Sequence, residues 1–537
     1  MPAIAAVRGV ETMQHLTEIG RALARERDRR RLLEIILAEA VRLTGADGGA
    51  LYRVDERGDA LTFEIVSSAT LGWSVHGTPS GGLHLPPIPL RDANGAPNHH
   101  AAVAHAALTR RSIRIADVYA VTEFDFVSAK RFDAEHGYRT RSLLAVPMHD
   151  HDDALIGVVQ LINALDAKGS VTEFTERHEG LCEALTGLAG VVLSNQLLIE
   201  NLESLFGSLV NLINVAIDEK SPYTGGHCQR VPRLTMMLAE AAHETSDGPL
   251  APFCMTERDR AELWMAGMLH DCGKITTPVH VVDKATKLET IHDRIELVGA
   301  RFDTLRAEAR IRALERRLAG DDPAAVAADL QREDALLSAD LEFLRGANVG
   351  SERMAEGDIA RVRRIAARRL HNRDGGEQPL LTDDEVANLT VPYGTLTAAE
   401  RTVINQHIVA TIRMLEALPW PRHLARVPEY AGGHHERMDG KGYPRGLSRD
   451  QMSWQARMMG IADIFEALTA PDRPYKKAKT LSESLAILGR MKEGGHVDPD
   501  LFDVFVRRKV WQRYADEHLD PTQIDAVDLR SIPGYVP

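Results

Sequence analysis

The sequence predicts a multidomain chain with an α/β domain, a long connecting helix, and an all-α domain that carries a helical insertion. Three observations predict this organisation. Strand-like runs occur only in the first third of the chain, one helical pattern continues over residues 174–220, and helical periodicity dominates after residue 220. We expect the segments to run over 1–24, 25–175, 176–214, 215–515 and 516–537: a helical segment, the α/β domain, the connecting helix, the all-α domain with an insertion at 289–395, and a tail.

The composition is that of an ordinary globular protein, with 44% apolar and 26% charged residues over 537 positions. A net charge of −13 argues against a large non-specific nucleic-acid surface. The four cysteines are scattered without a CxxC pair, which suits a reducing compartment and argues against a disulfide frame. The N-terminus lacks the apolar core of a signal peptide, and no run approaches a membrane span. We therefore expect a cytoplasmic protein.

The first domain begins with a helical pattern over residues 11–45. Two strands follow, GALYRVD and LTFEIVSS, joined by the turn DERGD. Residues 75–100 are rich in Gly, Pro, His and Asn and predict a loop. SLLAVPMHD and DALIGVVQLINAL then predict a hairpin that ends the domain.

The connecting helix carries apolar residues in alternating steps of four and three, which is a heptad seam with one polar position, Asn195. The seam consists of Leu181, Leu185, Leu188, Val192, Asn195, Ile199, Leu202, Phe206, Leu209 and Ile213. This pattern predicts a parallel, two-stranded coiled coil and therefore a homodimer. The alternative is a helix that packs only on its own domains.

The insertion at 289–395 is charged, Ala-rich and helical at its beginning, and NRDGGEQPLL predicts a loop near its end. We expect a helical hairpin or a small bundle. A lid, a dimer contact, a platform for a partner and a plain structural insertion all remain open.

Seven potential metal ligands lie in helical patterns of the second half: His227, His270, Asp271, His407, His434, His435 and Asp463. A lone histidine in a helix is usually structural, but seven such residues favour a metal centre. Imidazole binds iron, manganese, zinc or nickel, and a carboxylate can bridge two ions. Because His270 and Asp271 are adjacent, a bridging Asp271 would let both serve a pair of ions. Two close ions would polarise a phosphate for hydrolysis.

The second half resembles an HD-GYP phosphodiesterase, a branch of the HD metal-dependent phosphohydrolases. The segments that carry the resemblance are YTGGHCQRV, MLHDCGKITTP, LTAAERTVINQHIVATIRML, GGHHERMDGKGYPRGL and MGIADIFEALTAPDRPYKKA. The resemblance implies a bundle of helices around two or three metals. It also implies cyclic dinucleotide substrates, mainly cyclic di-GMP.

Residue by residue, the resemblance implies that all seven residues named above are metal ligands, with Asp271 and Lys274 in the catalytic centre. Lys274 would reach the scissile phosphate, and Tyr443 would line the substrate groove. Arg473 and Lys476 match basic residues that contact substrate phosphates. A local turn at Asp439 and Gly440 would shape the groove wall.

Two departures from the family pattern affect these expectations. Some members carry a Glu, a ligand of a third metal, where this chain has Tyr223; we therefore expect two ions, iron or manganese, and the linear product pGpG rather than GMP. The chain also runs on for about 105 residues after the KL at 287, far longer than a usual connection. We therefore assign the ligand in this region to His407 and not to His292.

The first domain resembles a GAF domain over residues 25–180, on the stretch FDFVSAKRFDAEHGYRTRSLLAVPMHD and on ALIGVVQLINA. The resemblance implies a sensory pocket or a dimerisation module. Members that bind cyclic nucleotides have Asn-Lys followed by Phe. Here Ala164 follows Asn163, although Phe174 is present, which argues against cyclic-nucleotide binding and leaves the ligand open.

The expected function is hydrolysis of cyclic di-GMP under control of the GAF domain, with the connecting helix as the link. One alternative is hydrolysis of cyclic GMP-AMP. Another is a non-catalytic adaptor that binds metal and cyclic dinucleotide and contacts diguanylate cyclases, although lost ligands would be its usual mark. Cys228 and Cys272, next to expected ligands, fit inert buried thiols better than a redox switch.

Overall fold

The computed structural model describes residues 2–26, 28–55, 57–76, 86–92, 94–220, 226–350, 353–372, 374–470 and 478–536. The chain divides into two compact units, Met1–Phe206 and Gly207–Pro537, which are described separately.

The first unit is an antiparallel sheet with helices on both faces. Its elements are α1 (Pro2–Arg25), α2 (Arg29–Thr44), β1 (Ala46–Val54), β2 (Ala60–Ser68), β3 (Trp73–His76), β4 (Ile88–Pro89), α3 (Ala102–Thr109), β5 (Ile113–Ile115), α4 (Val127–His136), β6 (Leu143–His149), β7 (Leu155–Leu165), β8 (Val171–Thr172) and the first part of α5 (Glu176–Lys220). The strand order is β3-β2-β1-β7-β6-β5, with β4 beside β2 and β8 beside β7. The predicted strands and the β6–β7 hairpin are confirmed.

The strands alternate their side chains between two apolar cores. Leu51 and Leu144 face one core with α2 and the beginning of α5, whereas Tyr52 and Ala145 face the other core with α3. The helical pattern predicted over residues 11–45 is broken between α1 and α2. There Asp28 caps α2 by accepting a hydrogen bond from the backbone N–H of Arg31.

Helix α5 has the predicted length, but its predicted seam is partly wrong. Leu185 is buried in the core of the first unit. At three further steps the exposed apolar residue is the neighbour of the predicted one: Val191, Leu205 and Leu212 are exposed, whereas Val192, Phe206 and Ile213 are half-buried. At the remaining step, Leu198 and the predicted Ile199 are both exposed. The exposed positions form the α5 seam, which we define as Leu188, Val191, Asn195, Leu198, Leu202, Leu205, Leu209 and Leu212. Among the described helices, α5 alone is long and apolar enough to cross a membrane by length and composition, a weak criterion that core helices also meet.

The second unit is mainly helical. Its helices are α6 (His227–His243), α7 (Glu257–Leu269), α8 (Val279–Val282), α9 (Ile295–Leu318), α10 (Pro323–Asn348), α11 (Glu356–Ala366), α12 (Asp383–Leu389), α13 (Ala398–Glu416), α14 (Val427–Gly432), α15 (Trp454–Thr469), α16 (Leu481–Glu493), α17 (Pro499–Arg507) and α18 (Val510–His518). Short 3-10 turns occur at Gly248–Leu250, Cys272–Thr276, Arg422–Leu424, Arg449–Gln451, Pro521–Gln523 and Leu529–Ser531. Helix α6 packs on α7 and α15, and α13 packs on α14 and on the turn Cys272–Thr276.

The insertion forms a small bundle from α9, α10, α11 and α12 around its own core, which includes Phe302, Leu341 and Val362. The expectation of a loop at NRDGGEQPLL is wrong in part. Strands β9 (Arg369–His371) and β10 (Glu377–Pro379) pair there as an antiparallel hairpin. The Asn372 side chain organises the turn by accepting hydrogen bonds from the N–H groups of Asp374 and Gly376.

Candidate metal centre

Five α-helices and one 3-10 turn bring the seven predicted ligands together. His227 opens α6, His270 follows α7, Asp271 precedes the turn Cys272–Thr276, His407 lies in α13, His434 and His435 follow α14, and Asp463 lies in α15. All seven are buried or half-buried. We call these seven residues the His/Asp cluster.

Asp271 lies at the middle of the cluster, with its two carboxylate oxygens facing different histidines. Its Oδ2 lies 3.2 Å from Nε2 of both His227 and His270. Its Oδ1 lies 3.4 Å from Nε2 of His407. Asp271 thus presents one oxygen to His227 and His270 and the other to His407, an arrangement that a carboxylate shared by two ions would need.

The two sides of Asp271 are completed by different residues. On one side, Asp463 Oδ1 lies 3.3 Å from Nε2 of His227 and 3.9 Å from Nε2 of His270. On the other side, the Nε2 atoms of His407 and His435 are 3.1 Å apart. His407, His434 and His435 have donor atoms within 4.8 Å of one another, as do His227, His270 and Asp271. The cluster thus offers two neighbouring groups of ligands.

The Nδ1 atoms of four histidines are engaged by hydrogen bonds, which directs Nε2 towards the cluster. His270, His407 and His434 donate from Nδ1 to the carbonyl oxygens three residues earlier, at 2.7, 2.5 and 2.6 Å. His227 donates instead to the Glu466 carboxylate, at 2.5 Å. Such contacts fix the ring orientation of metal-binding histidines and raise their basicity.

The chemistry of the cluster fits divalent ions. Buried polar atoms usually have hydrogen-bond partners, yet Nε2 of His227, His270 and His434 and Oδ1 of Asp271 have none within the described part of the chain. Four such atoms that converge on one place fit a site for metal ions, which would accept electron pairs from them. Nitrogen and carboxylate ligands together suit iron, manganese or zinc.

The electrostatics of the cluster also favour cations. Burial acts to raise the pKa of Asp271, but the charges of Lys274 and His270 hold it well below its usual range. The pKa of His227 is well above its ordinary value although burial opposes this, because Glu466, Asp271 and Asp463 surround it. Burial lowers the pKa of His434 strongly and that of His435 to about 4. These two rings are therefore neutral, which is the form of imidazole that binds a metal ion.

A glycine lets the turn that follows Asp271 approach α13. The Gly273 N–H donates to the Thr411 hydroxyl at 2.9 Å. A Cβ at Gly273 would lie 2.0 Å from the carbonyl oxygen of His407, which no side chain allows. The next residue, Lys274, places its ammonium 2.5 Å from Asp271 Oδ2.

The stretch after His435 is a tight loop organised by a buried carboxylate. Glu436 accepts hydrogen bonds from the N–H groups of Arg445 and Leu447, at 2.7 and 2.8 Å. Gly442 packs so closely on this segment that a Cβ would lie 2.5 Å from the Cα of Glu436. Asp439 and Gly440 shape the loop as predicted: Gly440 has a φ of +74°, and Asp439 accepts from the N–H of Lys441.

A cleft of about 420 Å³ opens beside the cluster. Its lining residues include Tyr443, Arg437, Lys441, Lys479 and His496. The Tyr443 ring stacks on His435, with centroids 4.9 Å apart. Burial raises the pKa of Tyr443 to about 12, so its hydroxyl stays protonated. The predicted phosphate contacts Arg473 and Lys476, and the departure at Tyr223, lie outside the described residues.

Other histidines and cysteines are placed as the sequence predicted. His292 is exposed in the turn before α9 and is not part of the cluster. Cys228 and Cys272 are buried, and burial raises the pKa of these thiols to about 12 and about 11. They are therefore poor nucleophiles.

Two residues that support the cluster, Glu466 and Arg230, were not predicted from the sequence. The Glu466 carboxylate is buried, and it accepts from Arg230 Nε at 2.7 Å as well as from His227. Each lies three residues after a ligand, Glu466 after Asp463 and Arg230 after His227. Residues three apart share a helix face, so this spacing was the available signal.

In the first unit, Asn163 has a structural role. Its side chain accepts from the N–H of Arg141 at 2.7 Å and donates to the Tyr138 hydroxyl and the Arg139 carbonyl oxygen, both at 2.9 Å. Phe174 is buried in the core. The amide of Asn163 is thus engaged by three hydrogen bonds within its own domain.

Three family models match the chain. A GAF domain model matches residues 28–193, and two HD domain models match residues 224–338 and 382–501. The two HD matches together contain all seven residues of the His/Asp cluster. The chain therefore combines a GAF domain with an HD domain.

Similar curated proteins are phosphodiesterases. The 3'3'-cGAMP-specific phosphodiesterase 3 of Vibrio cholerae is 41% identical over 111 residues, which are 20% of this chain and 23% of that protein. The cyclic di-GMP phosphodiesterase PA4108 of Pseudomonas aeruginosa is 38% identical over 142 residues, 25% of this chain and 32% of that protein. The chain thus spans less than a third of the length of either relative.

The solved structures similar to this chain include the GAF domain of an Acinetobacter phosphoenolpyruvate-protein phosphotransferase. It is 14% identical, with a TM-score of 0.26, and the match covers 36% of this chain and 98% of that one.

Proposed function

We propose that this GAF–HD chain is a metal-dependent phosphodiesterase that hydrolyses cyclic di-GMP to linear pGpG. The observation that carries the proposal is the placement of Asp271, whose two oxygens face two separate groups of imidazoles. The names of the similar proteins support the reaction class, since both act on cyclic dinucleotides.

The chain's own residues would hold two divalent ions in the cluster. His227, His270 and Asp463 belong to one site, His407, His434 and His435 belong to the other, and Asp271 is shared. When bound, two such ions polarise a phosphate and lower the pKa of water towards neutral pH. Iron or manganese is our choice, from the histidine-rich site with a shared carboxylate.

Substrate binding would use the cleft beside the cluster. Lys274 is half-buried and remains charged, because Asp271 and Asp463 raise its pKa against the effect of burial. It can therefore neutralise charge that develops on the scissile phosphate. Tyr443 offers a flat apolar surface, and Arg437, Lys441 and Lys479 add positive charge along the cleft. Such a lining fits a dianionic ligand with aromatic bases, and Arg473 and Lys476 are proposed as further phosphate contacts.

Cyclic GMP-AMP is a second candidate substrate, and the similar proteins support it. The similar proteins include phosphodiesterases for cyclic di-GMP and for 3'3'-cGAMP, with identities of 38% and 41%. Both substrates share the two phosphates, so the cluster does not discriminate between them. The base-contacting part of the cleft would set the preference.

Regulation by the GAF domain would pass through α5. Its last residue, Lys220, donates from Nζ to the carbonyl oxygens of Lys274 and Ile275, at 3.1 and 2.5 Å. A change in α5 would therefore reach the turn that carries Lys274. The exposed α5 seam supports a parallel homodimer, in which Asn195 would set the register. We place the protein in the cytoplasm, where cyclic dinucleotides are made. A contact with diguanylate cyclases is a further expectation from the family.

The decisive experiment is anaerobic purification of the full chain, metal quantification, and hydrolysis of cyclic di-GMP and cyclic GMP-AMP. The double variant His270→Ala/Asp271→Ala should lose metal and turnover. His292→Ala is the matched control, since this histidine is exposed in the same unit. Turnover to pGpG by wild type and control alone supports the proposal. A fully metal-loaded wild type that hydrolyses neither substrate would favour the non-catalytic adaptor.

A further inference from the structure

Helix α9 of the insertion has an apolar face that its own domain does not cover. The side of α9 with Ile295, Val298, Phe302, Leu305 and Ala309 is buried in the core of the insertion. On the opposite side, Leu297, Ile311, Leu314 and Leu318 are 47%, 54%, 58% and 89% exposed. Isolated exposed leucines are ordinary, but four large apolar side chains on one face of a single helix need a partner surface.

These residues belong to a heptad pattern. We define the α9 stripe as Leu297, Ala300, Thr304, Ala307, Ile311, Leu314 and Leu318, which follow one another in steps of three and four. This is the spacing of a helix that pairs with another helix. The middle of the stripe holds small side chains, which allow two backbones to approach closely.

The charges beside the stripe select the partner. Along one flank the residues are Glu296, Asp303, Arg310 and Arg317, so the first half is acidic and the second half is basic. Glu296, Arg310 and Arg317 form no ion pair with other residues in the described part of the chain, and Asp303 pairs with Arg306 of its own helix at 2.8 Å. An antiparallel second copy of α9 would place Glu296 near Arg317 and Asp303 near Arg310, with each pair formed twice. A row of charges that complements its own reverse indicates pairing with itself.

The other flank of the stripe consists of Arg294, Arg301, Glu308 and Glu315, and its first half is occupied within the insertion. Arg294 pairs with Asp384, and Arg301 pairs with Glu385, both at 2.6 Å. Both carboxylates lie on α12, whereas the four residues of the acidic-to-basic flank are all exposed. The same antiparallel register sets Leu297 of one copy opposite Leu314 of the other, and Thr304 opposite Ala307.

From this exposed stripe and its self-complementary flank, we propose that α9 is a homotypic interface, which pairs antiparallel with α9 of a second copy of this chain. The interface is small, because one stripe from each copy falls at the low end of protein contact sizes, so the association is weak and concentration-dependent. The proposal is independent of the proposed catalytic function. If α5 also dimerises, α9 joins two dimers.

Sedimentation velocity of the full chain over a range of concentrations tests the proposal. The background is Leu202→Lys/Leu209→Lys, which removes the α5 seam. On this background we expect a reversible monomer–dimer equilibrium. Asp303→Arg should weaken the dimer roughly tenfold, because it makes two symmetric pairs repulsive, and adding Arg310→Asp should restore it. Glu342→Arg, an exposed charge reversal on α10, is the matched control and should leave the equilibrium unchanged.

The outcomes separate the two interfaces. A background chain that is monomeric at every concentration refutes the α9 contact, and so does a double reversal that fails to restore a weakened dimer. A background chain that stays dimeric and dissociates with Leu314→Glu supports it. Thermal unfolding of every variant shows whether the insertion is still folded. A wild-type dimer that Leu314→Glu alone makes monomeric would support α9 and refute the α5 dimer.

Discussion

Replacing the Glu466 carboxylate by an amide tests whether the contacts behind the ligands support metal binding. Glu466 is 1% exposed and accepts from His227 Nδ1 at 2.5 Å and from Arg230 Nε at 2.7 Å. Glu466→Gln keeps the shape and one acceptor oxygen but removes the negative charge. The ring of His227 then loses its charged partner, and Arg230 loses its counter-ion.

The expected loss of metal affinity is roughly 10–100-fold, which is the usual effect of removing a residue that orients a ligand, or about 1.4–2.7 kcal/mol. Breaking a fully buried ion pair costs about 3–5 kcal/mol of folding stability. The Arg230 side chain is 19% exposed and glutamine still accepts a hydrogen bond, so we expect about 2 kcal/mol or less.

Isothermal titration of metal-free protein with Mn²⁺ measures the affinity, and urea unfolding measures the stability. Glu262→Gln is the matched control, because Glu262 is also a buried carboxylate and accepts from the N–H of Arg426, two turns before His270 on α7. If Glu466→Gln and Glu262→Gln bind Mn²⁺ as wild type does, the idea that charge behind His227 supports the site is wrong.

Three further perturbations are predicted. Gly273→Ala should destabilise the protein by about 2–4 kcal/mol in urea unfolding, because the new Cβ would clash with the His407 carbonyl oxygen. The control Gly357→Ala should be neutral or slightly stabilising, because a Cβ there contacts nothing within the described residues. Equal effects of the two substitutions would contradict the close approach at Gly273. In native protein at pH 8, iodoacetamide should alkylate exposed Cys254 first. Burial raises the pKa of Cys182 and Cys228 to about 12 and of Cys272 to about 11, so early labelling of these three by mass spectrometry would overturn the inert-thiol interpretation. In acid, metal-free wild type should lose stability as the pH falls from about 4.5 through about 2. Burial acts to raise the pKa of Glu466, but His227 and Arg230 lower it to about 2. Glu466→Gln should therefore show a shallower slope of unfolding free energy against pH, and parallel curves for the two proteins would contradict this.

The residues of the His/Asp cluster could be predicted from the sequence because their motifs are local. His270 and Asp271 are adjacent, and His434 and His435 are adjacent, so each pair can be recognised in the sequence as a two-residue motif. Their mutual arrangement could not be predicted, because it depends on how α7, α13, α14 and α15 pack. The division of the two Asp271 oxygens between His227, His270 and His407 is a property of that packing.

Part of the predicted seam of α5 was wrong for a different reason. Apolar residues occur in neighbouring pairs along this helix, such as Val191–Val192, Leu198–Ile199 and Leu212–Ile213. Two overlapping seams therefore satisfy the heptad pattern equally well. The position of the core decides between them at Val191–Val192 and Leu212–Ile213, where the second residue is half-buried, but not at Leu198–Ile199, where both residues are exposed. The hairpin at β9 and β10 was missed because strands of three residues are too short to show alternation.

The two ends of the insertion meet at one point. Lys284 donates from Nζ to Glu400 at 2.7 Å, and the Thr395 hydroxyl donates to the Lys284 carbonyl oxygen at 2.9 Å. Lys287, buried nearby, donates to the carbonyl oxygens of Leu389 and Val391. We therefore expect the bundle that carries the His/Asp cluster to tolerate changes in the length of chain between these anchors, because the insertion is closed at its base. We expect the insertion to behave as an exchangeable module. Its length could change during evolution, or protein engineering could replace it by a short linker, while α13 keeps His407 in position.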